Sequence, residues 1–246
     1  MTDFRKIVNG VIKQADVLIL LLDARLVEET RNPEIEKKVK FLGKPLIYVI
    51  TKSDLIASKK YVEKFKRTLN PCVFVSSKTY HGLKILREKI MAEGKRLDKE
   101  IIKVGILGYP NVGKSSFINA MSGRGAAPTS MMSGYTRSMR KIKDRKIMFL
   151  DTPGLIPYKE KSQIKHAIIG AIDFTKSKNP DLVIIQITEQ FPGKIEKYYG
   201  VDVNADFEQT IRAIAVKKKV LMKGNIPDSE RMYRLILKEW QNGKIV

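Results

Sequence analysis

The sequence is poor in the residues that carry disulfide, zinc and membrane chemistry. Among its 246 residues there is one cysteine, Cys72, so no disulfide can form within the chain and a multi-cysteine zinc site is excluded. The longest continuous apolar run, residues 17–22, lies between Asp16 and Asp23 and is far shorter than the ~20 residues that a membrane span requires. We therefore expect a cytoplasmic protein in a reducing compartment, with no membrane partner.

Histidine and acidic residues are also scarce. The two histidines, His81 and His166, are each more typical of a surface residue than of a catalyst, so we assign neither a catalytic role. With 47 lysines and arginines against 26 aspartates and glutamates, the net charge is +21, which favours a polyanionic partner such as nucleic acid. A lysine-rich solvated surface is the alternative, although such surfaces usually carry more glutamate.

A glycine-rich segment, residues 108–115 (GYPNVGKS), fits the phosphate-binding pattern G-x-x-x-x-G-K-[ST], in which backbone N–H groups and a helix N-terminus hold phosphates. The apolar run 101–107 before it predicts a strand, and residues 115–121 predict the helix that this pattern requires. Lys114 would reach the β- and γ-phosphates, and the Ser115 hydroxyl would be a ligand of Mg²⁺. The predicted phosphate-binding residues are Asn111, Val112, Gly113, Lys114, Ser115 and Ser116.

A second motif, residues 151–154 (DTPG), follows the apolar run 146–150. Asp151 would therefore lie at the carboxyl end of the predicted sheet, where ligands bind. A carboxylate there can hold Mg²⁺, directly or through water. Gly154 would let a backbone N–H approach the γ-phosphate. A strand that simply ends in a turn is the alternative, but it gives no reason for the acid.

Between these motifs, residues 123–136 are rich in glycine and serine and are predicted to form a switch loop. Three hydroxyls there, Thr129, Ser133 and Thr136, are available to complete the metal shell. Thr136 is favoured because it leads straight into a predicted strand, although an ordinary strand-starting threonine is the alternative. The predicted metal ligands are Ser115, Thr136 and Asp151. The predicted catalytic residues are Lys114, Thr136 and Gly154.

Far upstream, residues 51–54 (TKSD) follow the apolar run 45–50 and resemble a guanine-reading motif. The carboxylate of Asp54 can accept from the guanine ring N–H and exocyclic amine, and adenine cannot supply these donors. Lys52 would lie along the base. Thr51 stands where such motifs carry asparagine. Threonine lacks the amide that braces the loop and touches the base, and this loss concerns the affinity for the nucleotide more than the specificity for guanine.

A second part of the guanine site is predicted after the short strand 73–75. Ser76, Ser77 and Lys78 resemble the loop whose backbone donates to the guanine carbonyl. These three residues carry little information alone, and they gain weight from their distance to the preceding motif.

Apolar periodicity predicts alternating helices and strands up to residue 93, which is typical of a sheet wrapped by helices. The predicted helices are 4–14, 33–42, 58–69 and 82–93, and the predicted strands are 17–22, 46–50 and 73–75. A charged segment, residues 92–100, then joins this part of the chain to the phosphate-binding half.

The guanine-reading motif precedes the phosphate-binding motif, whereas in ordinary small GTPases it comes last. We therefore predict an α/β fold in which residues 1–164 form a circularly permuted P-loop GTPase domain, with a mostly parallel sheet wrapped by helices. Residues 165–246 are predicted to form a small helical C-terminal domain, with Trp240 as a core anchor.

This order of motifs resembles the circularly permuted ribosome-assembly GTPases of the YlqF/RbgA type. Residues 223–228 and 242–245 are similar to the helical tail of that family. The resemblance implies GTP hydrolysis coupled to late assembly of the large ribosomal subunit, with Mg²⁺ as cofactor and ribosomal RNA as partner of a monomer. It also associates Asn111 with a bound K⁺, and a local hydrogen bond that holds the loop is the equal alternative.

The chain departs from this pattern in two further places. Leu155 stands after Asp-x-x-Gly, where many GTPases place a glutamine that orients water, so we expect slow intrinsic hydrolysis, and the resemblance implies activation by the ribosome. No Pro-Gly-His-Met stretch, which such proteins often carry, precedes Asp16. Two other functions remain open: an RNA-binding placeholder in which hydrolysis is incidental, and a P-loop kinase or ATPase, which Asp54 disfavours.

Overall fold

A six-stranded sheet forms the centre of the first of two units into which the computed structural model divides, Met1–Glu160 and Lys161–Val246. The structure describes residues 4–56, 58–123, 140–157, 160–204 and 206–246. The boundary drawn from the sequence, between residues 164 and 165, falls inside the helix Gln163–Ile168 and stays a prediction.

Helices and strands alternate along the first unit. Its described elements are α1 (Phe4–Gln14), β1 (Val17–Asp23), α2 (Pro33–Phe41), β2 (Leu46–Thr51), α3 (Lys59–Thr68), β3 (Cys72–Phe74), α4 (Leu83–Arg96), β4 (Ile102–Leu107), α5 (Lys114–Ser122), β5 (Arg140–Asp144) and β6 (Ile147–Asp151). Their caps follow the sequence: the Asn32 side chain accepts from the N–H of Ile35, and Pro33 occupies the first turn of α2.

The sheet has the order β3-β2-β1-β4-β6-β5 and is mostly parallel, as predicted. Only β5 runs antiparallel, beside β6. Because β1, β2, β4 and β6 are parallel, they end together at Asp23, Thr51, Leu107 and Asp151. We call this the carboxyl-terminal end of the sheet and the opposite one the amino-terminal end. Ligands of open parallel sheets bind at the carboxyl-terminal end.

Strand β1 lies in the middle of the core. All seven of its residues are buried, as expected of a parallel strand that is covered on both faces. Helix α1 packs closely on the neighbouring strand β4 because Gly105 in β4 has no side chain. A Cβ there would lie 2.7 Å from Cδ2 of Leu18 and 3.0 Å from Cγ1 of Val11.

The charged segment 92–100 is partly helical, so the prediction that α4 ends at residue 93 is wrong. Helix α4 continues to Arg96 because Gly94 is buried and packs against Ile102 at the start of β4. A Cβ on Gly94 would overlap the Ile102 side chain, at 2.1 Å from its Cδ1. A buried glycine therefore lets a polar-looking sequence remain in the helix.

The second unit is helical. Its helices are α6 (Gln163–Ile168), α7 (Pro180–Gln190), α8 (Lys194–Tyr199), α9 (Phe207–Lys217) and α10 (Ser229–Gln241). Trp240 is a core anchor, as predicted: it is 2% exposed, and its indole N–H donates to the carbonyl of Ile168 at 3.0 Å. The ring of Phe191 packs against it, with the centroids 5.2 Å apart.

Candidate nucleotide-binding site

The predicted site residues that the structure describes come together at the carboxyl-terminal end of the sheet. The phosphate loop joins β4 to α5, the DTPG motif follows β6, and the TKSD motif begins at the last residue of β2. The Ser76–Lys78 loop follows β3. Four segments that are distant in sequence thus lie at one end of one sheet, because their strands are parallel neighbours.

The phosphate loop needs glycine at both ends. Gly108 has φ +147°, and a Cβ there would lie 2.8 Å from the carbonyl oxygen of Leu21 in β1. Gly113 has φ +95° and precedes the first residue of α5. Asn111 also adopts a left-handed backbone, with φ +61°. The loop therefore turns tightly and leads directly into a helix N-terminus, the arrangement that binds phosphate.

Lys114 lies inside this turn. The residue is 7% exposed, and its Nζ donates to the carbonyl oxygens of Tyr109 at 2.6 Å and Gly108 at 3.2 Å. Burial lowers the pKa of Lys114 to about 8, and the nearby Asp151 opposes this shift. Phosphate oxygens would stabilise the ammonium further, so the loop holds a cation that is prepared for an anionic ligand.

Asp151 supplies a carboxylate oxygen that lacks a partner. The residue is 1% exposed, and its Oδ1 makes no hydrogen bond to any part of the chain that the structure describes. Burial raises the pKa of Asp151, while Lys114 acts in the opposite direction. An orphaned, buried carboxylate oxygen requires an explanation, and a hard cation such as Mg²⁺ is one. With the half-buried Ser115 in the first turn of α5, the donor chemistry fits Mg²⁺.

The segment after Asp151 packs against the phosphate loop. A Cβ on Gly154 would lie 2.5 Å from the backbone nitrogen of Pro110, so only glycine fits there. The N–H of Leu155 donates to the carbonyl of Gly108 at 3.1 Å, and the Leu155 side chain packs against the hydrophobic core. A conformational change in the phosphate loop would therefore alter the contacts that this segment makes.

The predicted third metal ligand, Thr136, lies outside the described residues, as do its alternatives Thr129 and Ser133. Its role as a ligand and as a catalytic residue stays a prediction.

The guanine-reading side of the site is organised by Ser76. Its hydroxyl donates to Oδ1 of the exposed Asp54 at 2.6 Å and accepts the N–H groups of Lys78 at 3.2 Å and Thr79 at 3.1 Å. The N–H of Ser76 donates to the carbonyl of His81, so Ser76 holds the loop and does not offer its own N–H to a base. Within the described chain the N–H of Ser77 has no such internal partner, so it is available to a ligand.

Thr51 braces the site, contrary to the expectation that loss of the usual asparagine removes this brace. It is 2% exposed, and its Oγ1 lies 2.7 Å from the carbonyl oxygen of Val112 and 3.0 Å from that of Leu22. The hydroxyl thus connects the guanine-reading loop to the phosphate loop, which a threonine can do here because the two loops approach so closely.

Lys52 makes a second connection between the loops. Its Nζ donates to the carbonyl oxygen of Asn111 at 3.1 Å and forms an ion pair with Oδ2 of Asp23 at 2.6 Å. Sequence analysis missed Asp23, which is 3% exposed and also binds Arg25, with Nη2 at 2.8 Å from Oδ2. Burial alone would raise the pKa of Asp23, but the two cations hold it well below its usual range. The missed signal was an acid at the end of a buried strand, the same signal that identified Asp151.

Two further contacts were not expected from the sequence. Tyr109 of the phosphate loop is fully buried, and its hydroxyl donates to Oε2 of Glu160 at 3.0 Å. Burial and this carboxylate raise the pKa of Tyr109. His166 is 8% exposed in α6, so the expectation that it is a surface residue is wrong, whereas His81 is exposed as expected. No helix in the described ranges is long and apolar enough to cross a membrane.

The chain is similar to known GTP-binding proteins. A family model described as 50S ribosome-binding GTPase matches residues 103–222. An uncharacterized GTP-binding protein of Methanocaldococcus jannaschii is 42% identical, over 98% of this chain and 65% of its own length. Ribosome biogenesis GTPase A of Bacillus cereus is 28% identical, over 100% of this chain and 89% of its own length.

The fold also matches a solved structure. Crystalline GNP-bound YlqF from T. maritima superposes with a TM-score of 0.67 at 22% identity, covering 98% of this chain and 94% of that one. The chain spans less than two thirds of the length of some curated relatives, among them the archaeal protein above and GTPase grn1 of Schizosaccharomyces pombe, of which it covers 60%.

Proposed function

We propose that the chain is a GTP-binding protein of the YlqF/RbgA type, and that it binds GTP and GDP and hydrolyses GTP to GDP and phosphate. The observation that carries this proposal is the connection between two loops. Thr51 and Lys52 of the guanine-reading loop contact the carbonyls of Val112 and Asn111 in the phosphate loop. A base and a phosphate chain bound at these two loops belong to one nucleotide. The motif order is explained by circular permutation of a P-loop domain.

The phosphate chain would lie across the N-terminus of α5. Backbone N–H groups of Asn111, Val112, Gly113, Ser115 and Ser116 face it, and the ammonium of Lys114 reaches the β- and γ-phosphates. Ser115 and Asp151 would hold Mg²⁺, with Thr136 as the third ligand. When bound, Mg²⁺ neutralises charge on the phosphate oxygens. Gly154 brings a backbone N–H close to the γ-phosphate.

The guanine base would be read by Asp54, whose carboxylate accepts from the ring N–H and the exocyclic amine. Ser76 fixes this carboxylate and holds the N–H of Lys78, and the N–H of Ser77 would donate to the guanine carbonyl. The stem of Lys52 lies along the base while its ammonium is held by Asp23. Adenine offers the wrong donors, so the site discriminates against ATP.

Hydrolysis proceeds by in-line attack of water on the γ-phosphorus. Leu155 cannot orient this water, because its side chain packs into the core, and turnover by the isolated protein is therefore slow. Asn111 in the phosphate loop is the residue through which K⁺ would add positive charge. The alternative role of Asn111 is to hold the phosphate loop by a local hydrogen bond.

The partner that we propose is the large ribosomal subunit, contacted through ribosomal RNA by a cytoplasmic monomer. The net charge of +21 supports a polyanionic partner, and relatives carry the names Ribosome biogenesis GTPase A and Nuclear GTP-binding protein NUG1. Ordering of the switch loop 123–136 by the γ-phosphate would make subunit binding depend on the nucleotide. The alternative is an RNA-binding placeholder in which hydrolysis is incidental.

Cosedimentation with large ribosomal subunits tests the proposed partnership. Binding should be tighter with a non-hydrolysable GTP analogue than with GDP, and it should weaken steeply as salt rises. Equal binding in both nucleotide states would refute the switch. A complex insensitive to salt would refute the contact with RNA phosphates.

A further inference from the structure

The amino-terminal end of the sheet is a continuous surface that the nucleotide site does not use. The turns before the parallel strands are joined to one another by hydrogen bonds. Nζ of Lys44 donates to the carbonyl of Ala15 at 2.6 Å, the N–H of Asp16 donates to the carbonyl of Lys103 at 2.7 Å, and the N–H of Ile102 donates to the carbonyl of Lys146 at 2.8 Å. These turns therefore form one rigid strip.

This strip is basic and exposed. Lys99, Lys103 and Lys146 are all exposed, and none of them forms an ion pair within the described parts of the chain. Three acids lie in the same turns: Asp16, whose carboxylate accepts the backbone N–H of Lys103 at 2.8 Å, and the exposed Asp98 and Glu100. Lys44, Lys95 and Arg145 bring the basic residues of this end to six against these three acids, so the strip keeps a net positive charge.

A shallow cleft and an exposed aromatic ring complete the strip. The cleft has a volume of about 610 Å³, and its charged lining residues are Lys95, Lys99 and Lys146 together with Asp98 and Glu100. Phe41, at the turn before β2, is 89% exposed. Two more apolar side chains lie exposed in the same turns, Leu42 at 41% and Ile101 at 36%. Unpaired nucleic-acid bases stack on exposed aromatic rings, and lysines on the same surface contact their phosphates.

We propose that this amino-terminal end is an RNA-docking surface, in which Lys99, Lys103 and Lys146 contact phosphates and Phe41 stacks on an unpaired base. The inference rests on the proposed ribosomal function and gives its RNA contact a location. From β2 to β6 the strip spans three strand spacings, about 14 Å at ~4.8 Å each. Lys99 and Lys146 come from turns and Lys103 from the start of β4, so none of the three belongs to an amphipathic helix, which favours RNA over a lipid surface.

Fluorescence anisotropy with a labelled single-stranded RNA of about 16 nucleotides tests this surface on the full chain loaded with GDP. The triple variant Lys99→Gln, Lys103→Gln and Lys146→Gln should bind the RNA about tenfold more weakly than the wild type. Its salt dependence should fall by about 2 on a log–log plot, at about 0.7 for each lost phosphate contact. Phe41→Ala should weaken binding about tenfold with no change in the salt slope.

A matched triple variant controls for net charge. Lys60→Gln, Lys66→Gln and Lys84→Gln remove three exposed lysines from α3 and α4 and should leave RNA binding near the wild-type value. GDP affinity should be unchanged in all these variants. Equal losses in the two triple variants would overturn the location of the surface, whereas the RNA partnership would stand.

Two other outcomes count against the inference in different ways. If the wild type does not bind the RNA, the proposed RNA partnership fails and the docking surface fails with it, while nucleotide binding is judged separately. If the triple variant of Lys99, Lys103 and Lys146 loses binding to phosphatidylserine-containing vesicles but not to RNA, the surface is a lipid contact and our assignment is wrong.

Discussion

The two ends of the same sheet use charge in opposite ways. At the carboxyl-terminal end, Asp23, Lys114 and Asp151 are buried and Lys52 is partly buried, and each lies close to an opposite charge or to backbone carbonyls. At the amino-terminal end Lys99, Lys103 and Lys146 are exposed to solvent, as are the acids Asp98 and Glu100. Buried charges require specific partners, whereas exposed lysines cost little to maintain and interact with many phosphates. This is the difference that we expect between a site for one small molecule and a surface for a large polyanion.

Removing the buried cation Lys114 should have the largest effect, a loss of nucleotide affinity at the carboxyl-terminal end. Lys114→Ala should weaken GDP binding by about 4 kcal/mol, roughly 1000-fold, because it deletes a buried partner of the phosphates. Isothermal titration calorimetry measures this loss. Lys103→Ala, at the other end of the same sheet, is the control and should leave GDP affinity unchanged. Unchanged GDP affinity in a folded Lys114 variant would refute the phosphate site.

Neutralising Asp23 should have the second largest effect, which is a loss of folding stability. Asp23→Asn should lower the free energy of unfolding by about 3 kcal/mol at pH 7, since it leaves the Lys52 and Arg25 charges without their buried partner. The folded pKa of Asp23 is depressed, so its contribution is present above the unfolded value of about 3.9 and is lost as the pH falls through the folded value.

Thermal unfolding followed between neutral and acidic pH checks this prediction. The gap between wild type and Asp23→Asn should persist at neutral pH and narrow only below about pH 4. Asp98→Asn makes the same chemical change at an exposed residue of the amino-terminal end and should have little effect. A gap that closes between pH 8 and 6 would contradict the ion-pair explanation.

Base selectivity should change by a smaller amount. Asp54→Ala should reduce the preference for GTP over ATP by about 2 kcal/mol, roughly 30-fold, because the guanine donors lose their acceptor. Competition titrations with both nucleotides measure the ratio, and Asp98→Ala serves as the exposed control. A ratio that stays at the wild-type value in the Asp54 variant would remove the guanine assignment.

The smallest effect should come from the brace between the loops. Thr51→Val keeps the shape of the side chain but removes the hydroxyl that contacts the carbonyl of Val112, so GDP binding should weaken about fivefold, or about 1 kcal/mol. Thr68→Val, an exposed threonine whose hydroxyl donates to the carbonyl of Lys64, is the matched control. Binding that is equally strong in both variants would mean that Thr51 does not couple the loops.

The strands and the local motifs could be predicted because residues that are close together in the sequence determine them. A buried parallel strand is a nearly continuous apolar run, which is why β1, β2 and β6 were found within one residue at either end. The phosphate loop is defined by glycine and lysine at fixed spacing, and its strand and helix follow from the adjoining residues. The sequence therefore predicted the site at the level of individual loops.

The contacts between these loops could not be predicted, because they join distant residues. Lys52 and Asp23 are 29 positions apart, and Thr51 and Val112 are 61 apart. Their partnership depends on which strands become neighbours in the sheet. The same holds for His166, which looks like a surface residue along the chain and is buried only by the packing of the helical unit.

Single-turnover hydrolysis of GTP by the full chain, measured with and without large ribosomal subunits, tests whether the protein is a GTPase that the subunits stimulate. The account predicts slow release of phosphate from GTP by the protein alone, a faster rate with the subunits, no activity in Lys114→Ala, and little release from ATP. Release at equal rates from ATP and GTP, or none from GTP with subunits present, would contradict it.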